Sequence, residues 1–470
     1  MEAAGAAFQS GGSLESRFFV DDGCWRDAPI LTGQTSFEPL PDVRNILVTG
    51  GEGFIASYLI RHLVTKYPSS YNIISFDKLD YCSSLNNSRL LDSFPNFRFY
   101  HGDIMSQSDV LKCLQTYKID TIFHLAAQSH VDLSFGNSFT FTHNNVMGTH
   151  VLLESAKVTE SVRRFYHIST DEVYGEVPKG EAELHEDSPL HPTNPYSASK
   201  ACAEMMVRAY VKSFALPVVM IRLNNVYGPH QVSAPSAASS SSQTKEEIIP
   251  KFINLLQRNK PLFIHGKGDN SRRYLYAGDA ADAFDTILHK GTMGEIYNVD
   301  SKDEIENLDL AKKLCKAFGI EDFEKHIQYT RDRPFNDCRY AVNGDKLAKL
   351  GWKQKVSFEE GLAQCVEWYQ KFPTWWGDID RILTPFPELR STSTADGPAV
   401  DRVCEVGTGS AGAVRQAGSG AQLYDPASAG KKLKEWNGVV NKVSACNGMA
   451  VNGGAVLKKR KADALDDADE

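Results

Sequence analysis

The sequence predicts a doubly wound parallel α/β sheet with a smaller mixed α/β lobe, and three observations carry that reading. Six short β-branched runs alternate with helix-length stretches, the first run ends in a glycine-rich turn that opens a helix, and the composition is that of an ordinary globular chain. The 470 residues are 42% hydrophobic and 23% charged, enough to bury one or two large cores. A formal net charge of -8 gives no reason to expect a nucleic-acid or membrane surface, so an anionic ligand would need a local cationic pocket. Nine scattered cysteines without a CxxC pair read as reduced thiols of a cytoplasmic protein, not as disulfides or a metal site. The first residues lack a basic region leading into an apolar stretch, and no later run has the apolar length to span a bilayer.

Residues 1–43 are rich in Gly, Ala, Ser and Pro without a sustained period and read as a mostly disordered leader. Strand-like runs follow at 45–49, 71–76, 97–101, 121–125, 165–168 and 218–222, which assigns 44–230 to the sheet-bearing domain. VSAPSAASSSSQTKEE then breaks the rhythm; too polar and small-chained to pack, it makes 231–247 a surface-loop insertion. Structure resumes at Ile248, and 248–390 is expected to form the smaller, mainly substrate-binding lobe over the sheet's carboxyl edge. Near its end, in EWYQKFPTWW, Trp368, Trp375 and Trp376 read as packing anchors, not as a platform for stacking a sugar. Residues 391–470 return to Gly, Ala, Ser and Val without periodicity, a low-complexity flexible tail whose KKRK at 458–461 reads as a solvated charge run.

The first strand leads directly into TGGEGFIAS. Gly50 and Gly53, with Ala56 in the third small position, allow a tight turn that brings a helix N-terminus up to a pyrophosphate, the arrangement of a Rossmann-type dinucleotide domain. Asp77 ends the second strand about twenty residues further on, where a carboxylate binds the adenosine ribose and repels a 2′-phosphate, so NAD is favoured over NADP. HGDI after the third strand places Asp103 and Ile104, and HLAA after the fourth places Leu125, Ala126 and Ala127, at the edge where such folds bind ligands.

YSASK sets Tyr196 and Lys200 four residues apart, on one face of a helix. A phenol titrating near 10 is a poor base, but a neighbouring ammonium favours its ionised form, so Tyr196 can accept a proton from a sugar hydroxyl as hydride leaves to NAD. Asp171 and Glu172 follow the strand-like FYHIST and emerge at the same edge. Once a sugar carbon is a ketone, the neighbouring C–H is acidic. Expelling a hydroxyl beside it needs one base and one acid, and two carboxylates in different environments can divide those roles.

With the glycine turn, LAAQSHVDLS, HISTDEVYG, NPYSASKA, NNVYGP, RRYLY and RDRPFNDCRY in this order, the chain resembles the dTDP-glucose 4,6-dehydratases of the extended short-chain dehydrogenase/reductase family. The resemblance covers about Arg44 to Glu388, with DKLDYCSSL and RPFNDCRY as marks of the eukaryotic branch, which leaves UDP-glucose and dTDP-glucose both open. It implies that Tyr196, with Lys200 and Thr170, deprotonates the glucose 4-hydroxyl, that Glu172 removes the C5 proton and that Asp171 protonates the departing 6-hydroxyl. It also implies cofactor contacts from Phe54, Ile55, Asp77, Lys78, Asp103, Ile104, Leu125, Ala126, Ala127 and Ser129, with Ser129 and Thr170 facing the sugar as well. Asn225, Arg272, Asn298, Arg333 and Asn336 match nucleotide-diphosphate contacts, Arg272 supplying the local cation, and a homodimer is the family's common state. Gln128 stands where bacterial members often have Glu, Asn336 where they have His, and Glu247 where a Lys commonly follows the NYGP-type segment.

Other readings on the same scaffold are a nucleotide-sugar 4-epimerase, a UDP-glucuronate decarboxylase and a non-catalytic NAD-binding regulator. An epimerase has no use for an acid and a base at C5 and C6. A regulator has no use for the full set of Tyr196, Lys200, Asp171 and Glu172.

Overall fold

The six expected strands and one more from late in the chain form a single seven-stranded sheet. The structure, a computed structural model, describes residues 23–80, 82–129, 131–231, 248–330 and 336–376. Its strands are β1 (Asn45–Thr49), β2 (Asn72–Asp77), β3 (Phe97–His101), β4 (Thr121–His124), β5 (Arg164–Thr170), β6 (Val218–Leu223), β7 (Asn225–Tyr227), β8 (Leu262–His265), β9 (Ser271–Tyr276), β10 (Ile296–Val299), β11 (Glu304–Glu306) and β12 (Ile327–Thr330). The large sheet runs β10-β6-β5-β4-β1-β2-β3 with every pair parallel. From β1 the chain steps outward to β2 and β3, then returns to β4 on the other side of β1. The crevice for a ligand opens at that reversal, beyond the carboxyl ends of the strands.

The longer helices are α1 (Phe54–Lys66), α2 (Gln107–Tyr117), α3 (Gly148–Val158), α4 (Pro195–Phe214), α5 (Ile248–Gln257), α6 (Ala277–Lys290), α7 (Asn307–Ala317) and α8 (Phe358–Lys371). Alternation along β1 decides which core each residue joins. Ile46 and Val48 pack with Leu59 of α1 and Phe284 of α6, whereas Leu47 packs with Leu114 of α2, Leu152 of α3 and Val207 of α4. The run VVMIRL in β6 is buried throughout, and its one charge, Arg222, is paired with Glu204 of α4 at 2.6 Å, both side chains fully buried. A third core gathers Phe252, Leu310, Leu362, Trp368 and Trp375 from α5, α7, α8 and the turn after it. The tryptophans therefore pack, Trp368 lying nearly parallel to His230 with ring centroids 4.8 Å apart.

Two boundaries differ from the sequence reading. The lobe expected from 248 onward is interwoven with the sheet domain: β10 pairs with β6, and α6 packs on α1. The leader expected to be disordered to residue 43 is placed from Gly23. It lacks an apolar period because it is held by acceptors on α6 and in the turn after α1. Gln34 N–H and Thr35 N–H donate to Asp282 Oδ1 at 2.6 and 2.7 Å, and the amides of Phe37 and Leu40 donate to the hydroxyls of Tyr67 and Tyr71 at 2.9 and 2.7 Å. A Cβ on Gly33 would lie 2.2 Å from Asp282 Oδ1, so the strap runs too close for any other residue there. Residues 1–22, 232–247 and 377–470, with the serine-rich insertion, the tail and KKRK, lie outside the described residues.

Asp285 is the strap's main internal anchor. It is fully buried and meets Thr35 Oγ1 at 2.7 Å, Tyr67 Oη at 2.9 Å, His62 Nε2 at 3.1 Å and His289 Nδ1 at 3.0 Å. Burial alone would raise its carboxyl, but the hydrogen bonds from His289 and His62 outweigh it and hold the group well below the usual carboxylate range. Asp285→Ala is expected to cost about 3 kcal/mol or more, because four polar groups lose one shared partner. Urea unfolding of this variant, compared with Asp345→Ala on the exposed surface, measures it. The carboxylate's contribution is present above the ordinary carboxylate range and is lost as pH falls toward the depressed folded value.

Candidate active site

One cavity of about 370 Å³ opens where β1, β4, β5 and β6 end. Gly50, Gly53, Phe54, Ile55, Asp77, Lys78, Asp103, Ile104, Leu125, Ala126, Ala127 and Ser129 line one part of it; Thr170, Asp171, Glu172, Tyr196, Lys200, Asn225, Arg272 and Asn336 line another. The residues chosen from separate motifs therefore share one chamber, with two exceptions. Asn298 is fully buried in β10. Its Oδ1 accepts from Tyr174 Oη at 2.9 Å, its Nδ2 donates to the carbonyls of Leu184 and Asn343 at 3.4 and 3.2 Å, and it does not line the cavity. Arg333 lies outside the described residues.

The dinucleotide half follows from local geometry. Gly50 has φ 68°, and a Cβ there would approach Ala126 Cα to 2.8 Å, so only glycine permits both the turn and the close passage of β4. Gly53 caps α1 without a side-chain hydrogen bond, leaving the helix's first amides directed at the cavity. Asp77 is buried at the end of β2, accepting from the amides of Glu52 and Leu79 at 3.0 and 2.7 Å and from Ser83 Oγ at 3.0 Å. Burial raises its carboxyl, and those three donors work against the rise. A cradle that a Cβ would fill, an uncapped helix start and a fixed carboxylate at the second strand's end together fit a dinucleotide with free ribose hydroxyls.

The chemical half is built on two helix starts. Asn194 caps α4, accepting from Ser197 N–H at 2.8 Å in a capping box with Pro195 at the first helical position, and this fixes the turn carrying Tyr196 and Lys200. Lys200 Nζ donates to the Ile168 carbonyl at 2.6 Å. Burial draws its ammonium down to about 8, against the charge of Glu204. Thr170 caps the short turn Asp171–Tyr174, its Oγ1 accepting from Glu172 N–H at 3.2 Å and donating to Asp171 Oδ1 at 3.2 Å.

Each of the two carboxylates also has an amide of its own. Asn224 Nδ2 donates to Asp171 Oδ2 at 2.7 Å, while Asn224 Oδ1 is fixed by Ser301 N–H at 2.7 Å; Asn194 Nδ2 donates to Glu172 Oε2 at 3.2 Å. Burial pushes Asp171 up to about 6, with Asn224 and Thr170 restraining the rise. Burial, and then the charge of Asp171, pushes Glu172 up to about 8. Near neutrality the pair therefore holds one proton between its two carboxyls.

Asn194 and Asn224 are functional residues that the sequence reading missed, although each adjoins a residue it chose. Asn194 had a signal, since Asn-Pro at a helix start marks a cap; Asn224 stands between β6 and β7, one position before Asn225. Toward the lobe, the Arg272 guanidinium lies 4.7 Å from the centroid of the Tyr340 ring and donates to the Ser271 and Asp337 carbonyls at 2.7 and 2.9 Å. Its charge lowers both Asp171 and Glu172, so it faces the same space. No helix among the described residues is long and apolar enough to cross a membrane, and none of their His, Cys, Asp and Glu side chains form a group of three that could hold a metal ion.

Comparison with known proteins agrees with this arrangement. The family described as GDP-mannose 4,6 dehydratase matches residues 47–365. The chain is 51% identical over 356 residues, 76% of its length, to an Arabidopsis thaliana trifunctional UDP-glucose 4,6-dehydratase/UDP-4-keto-6-deoxy-D-glucose 3,5-epimerase/UDP-4-keto-L-rhamnose-reductase, of which it spans about half, 51%. It is 43% identical over 368 residues to the human dTDP-D-glucose 4,6-dehydratase, covering 77% of this chain and 99% of that one. Among solved structures, the dTDP-glucose 4,6-dehydratase of Bacillus anthracis in complex with NAD superposes with a TM-score of 0.63 at 35% identity, covering 71% of this chain and 99% of that one.

Proposed function

The chain belongs to the GDP-mannose 4,6 dehydratase family, and from that membership we propose that it is an NAD-dependent lyase converting dTDP-glucose or UDP-glucose to the 4-keto-6-deoxy sugar nucleotide and water. The observation that carries this reading is the buried Asp171/Glu172 pair, each carboxyl held by its own asparagine, in one cavity with Tyr196 and Lys200. Bound NAD would rest on the glycine turn, the start of α1 and Asp77, and it supplies a reversible hydride acceptor, so that oxidation at C4 and reduction at C6 leave no net redox change.

Tyr196, its phenolate favoured by the Lys200 ammonium, takes the proton of the 4-hydroxyl. The resulting ketone acidifies C5–H. Glu172 takes that proton, and Asp171 gives one to the 6-hydroxyl as the C6–O bond breaks and water leaves. For these roles the proton the pair shares must lie on Asp171 when the sugar seats. The substrate favours that placement, because the 6-hydroxyl oxygen offers Asp171 an acceptor whereas C5–H offers Glu172 none. Arg272 provides the cation for the diphosphate, with Asn225, Asn336 and Arg333 completing the nucleotide side and Ser129 and Thr170 facing the sugar.

The decisive experiment is the mass of the product from UDP-glucose and from dTDP-glucose with NAD present. Loss of one water supports the dehydratase, an unchanged mass an epimerase, and no conversion a binding regulator; UDP-glucuronate losing carbon dioxide supports the decarboxylase. The rate should also follow a bell against pH. Below about 6 the pair gains its second proton and has no base, and above about 8 it loses its last and has no acid. Lys200 becomes neutral over the same alkaline range, so that limb is compound. A kcat/KM profile flat from pH 5 to pH 9, ~2 units around neutrality, would contradict the assignment. We place the enzyme in the cytoplasm as a homodimer, for which the exposed Met147, Val158, Met205 and Phe214 on and beside α3 and α4 supply an apolar surface.

A further inference from the structure

In the sheet, β2 and β4 flank β1, so the loops leaving their carboxyl ends rise on either side of the glycine turn that leaves β1. Side chains join those loops across it. Gln128 Nε2, beyond β4, donates to Asp80 Oδ2, beyond β2, at 2.9 Å. Lys78 Nζ lies 3.3 Å from the same Asp80 oxygen, 3.3 Å from Asn144 Oδ1 and 3.9 Å from Asp103 Oδ2. All five residues line the cavity. We propose that the Asp80–Gln128 tie, braced by Lys78 and Asn144, is a clasp across the dinucleotide crevice that retains the cofactor between C4 oxidation and C6 reduction; this rests on the dehydratase reading.

The chemistry explains the need. A dehydrogenase releases its reduced cofactor at every turnover, whereas this reaction must return the same hydride to the same sugar. Escape between the two steps would strand a 4-keto hexose on an enzyme unable to finish.

One rim of the clasp is rigid. Gln128 N–H donates to Asn145 Oδ1 at 2.7 Å, and Asn145 Nδ2 returns a bond to the Gln128 carbonyl at 2.9 Å and another to Ser199 Oγ at 2.9 Å, in the helix of Tyr196 and Lys200. Behind it, Thr149 Oγ1 donates to the Asn145 carbonyl at 2.6 Å, so His124 Nε2, 2.9 Å from that hydroxyl, is the donor to it, and His124 Nδ1 faces Thr49 at the end of β1 at 2.8 Å. The other rim can open. Lys78 and Asp80 are each 33% exposed, and Leu79 between them holds a left-handed φ of 59°, a conformation a leucine keeps only while its surroundings impose it. A Glu at position 128 would set two carboxylates against each other, whereas Gln gives Asp80 a donor.

The test uses the purified full chain, counting bound dinucleotide after gel filtration and following free NADH during turnover of UDP-glucose and dTDP-glucose. Gln128→Glu and Asp80→Ala are expected to release dinucleotide on the order of tenfold faster than wild type. NADH and a 4-keto hexose nucleotide that has lost no water should then appear in solution. The exchanged pair Asp80→Asn with Gln128→Glu restores a donor and an acceptor, and should return retention toward wild type. A purely structural defect would not be rescued by that exchange. Single variants that hold dinucleotide as long as wild type, or a folded exchanged pair that leaks like the singles, would overturn the clasp alone. A wild-type chain that neither carries nor binds NAD would overturn the dehydratase reading and the clasp with it.

Discussion

Tyr196→Phe is expected to lower turnover by between about a hundredfold and ten-thousandfold, the range that general-base catalysis commonly supplies. The substitution isolates the hydroxyl. The ring packs edge-on to Phe141 at 6.3 Å between centroids, a contact Phe preserves, and the backbone geometry comes from the Asn194 cap at the start of the same turn. Lys200 would remain anchored to the Ile168 carbonyl. The loss should therefore appear in kcat with an unchanged melting temperature, and no reduced cofactor should build up in a rapid-mixing experiment, because the block precedes C4 oxidation. Turnover within a few-fold of wild type in the folded variant would remove Tyr196 from the mechanism.

Glu172→Gln should fail at the next step, with a comparable loss of overall rate, and leave a different signature. The amide is nearly isosteric, still accepts from Asn194 and cannot take a proton from C5. Oxidation at C4 then proceeds while elimination stalls, so reduced cofactor accumulates toward one equivalent per site. Quenching should release a 4-keto glucose nucleotide lighter than substrate by two hydrogens, with no solvent deuterium at C5. Asp171→Asn separates the partner role: C5–H exchange with solvent continues while water is not lost. If Asp171→Asn blocks exchange and Glu172→Gln allows it, the two roles are reversed.

Much of this site is legible in the sequence because its parts are local. The turn Gly50–Gly53, the YSASK pair and the Asp171/Glu172 step each follow a strand or open a helix within a few residues, and strand ends in a parallel sheet share one edge. What is not legible depends on contacts between distant segments. Asn298 has the composition of a ligand-binding residue, yet its amide is consumed by Tyr174, Leu184 and Asn343. Asn224 resembles its neighbour Asn225 until β6 ends beside Asp171. The strap from Gly23 to Val43 shows no period because its hydrogen bonds end on Asp282, Asp285, Tyr67 and Tyr71, which only the folded helices bring together.

The strand from late in the chain sets a condition on how this protein can be made. Until β10 is synthesised, β6 is the open border of a parallel sheet, with a row of unpaired amides and carbonyls and the mostly apolar sequence VVMIRL along it. A nascent chain stopped before Ile296 therefore presents a template for strand addition to any neighbour, and a fragment that ends at the serine-rich insertion is expected to aggregate. The segment bearing β1 to β6 stays monodisperse only once the segment that carries β10 has been translated.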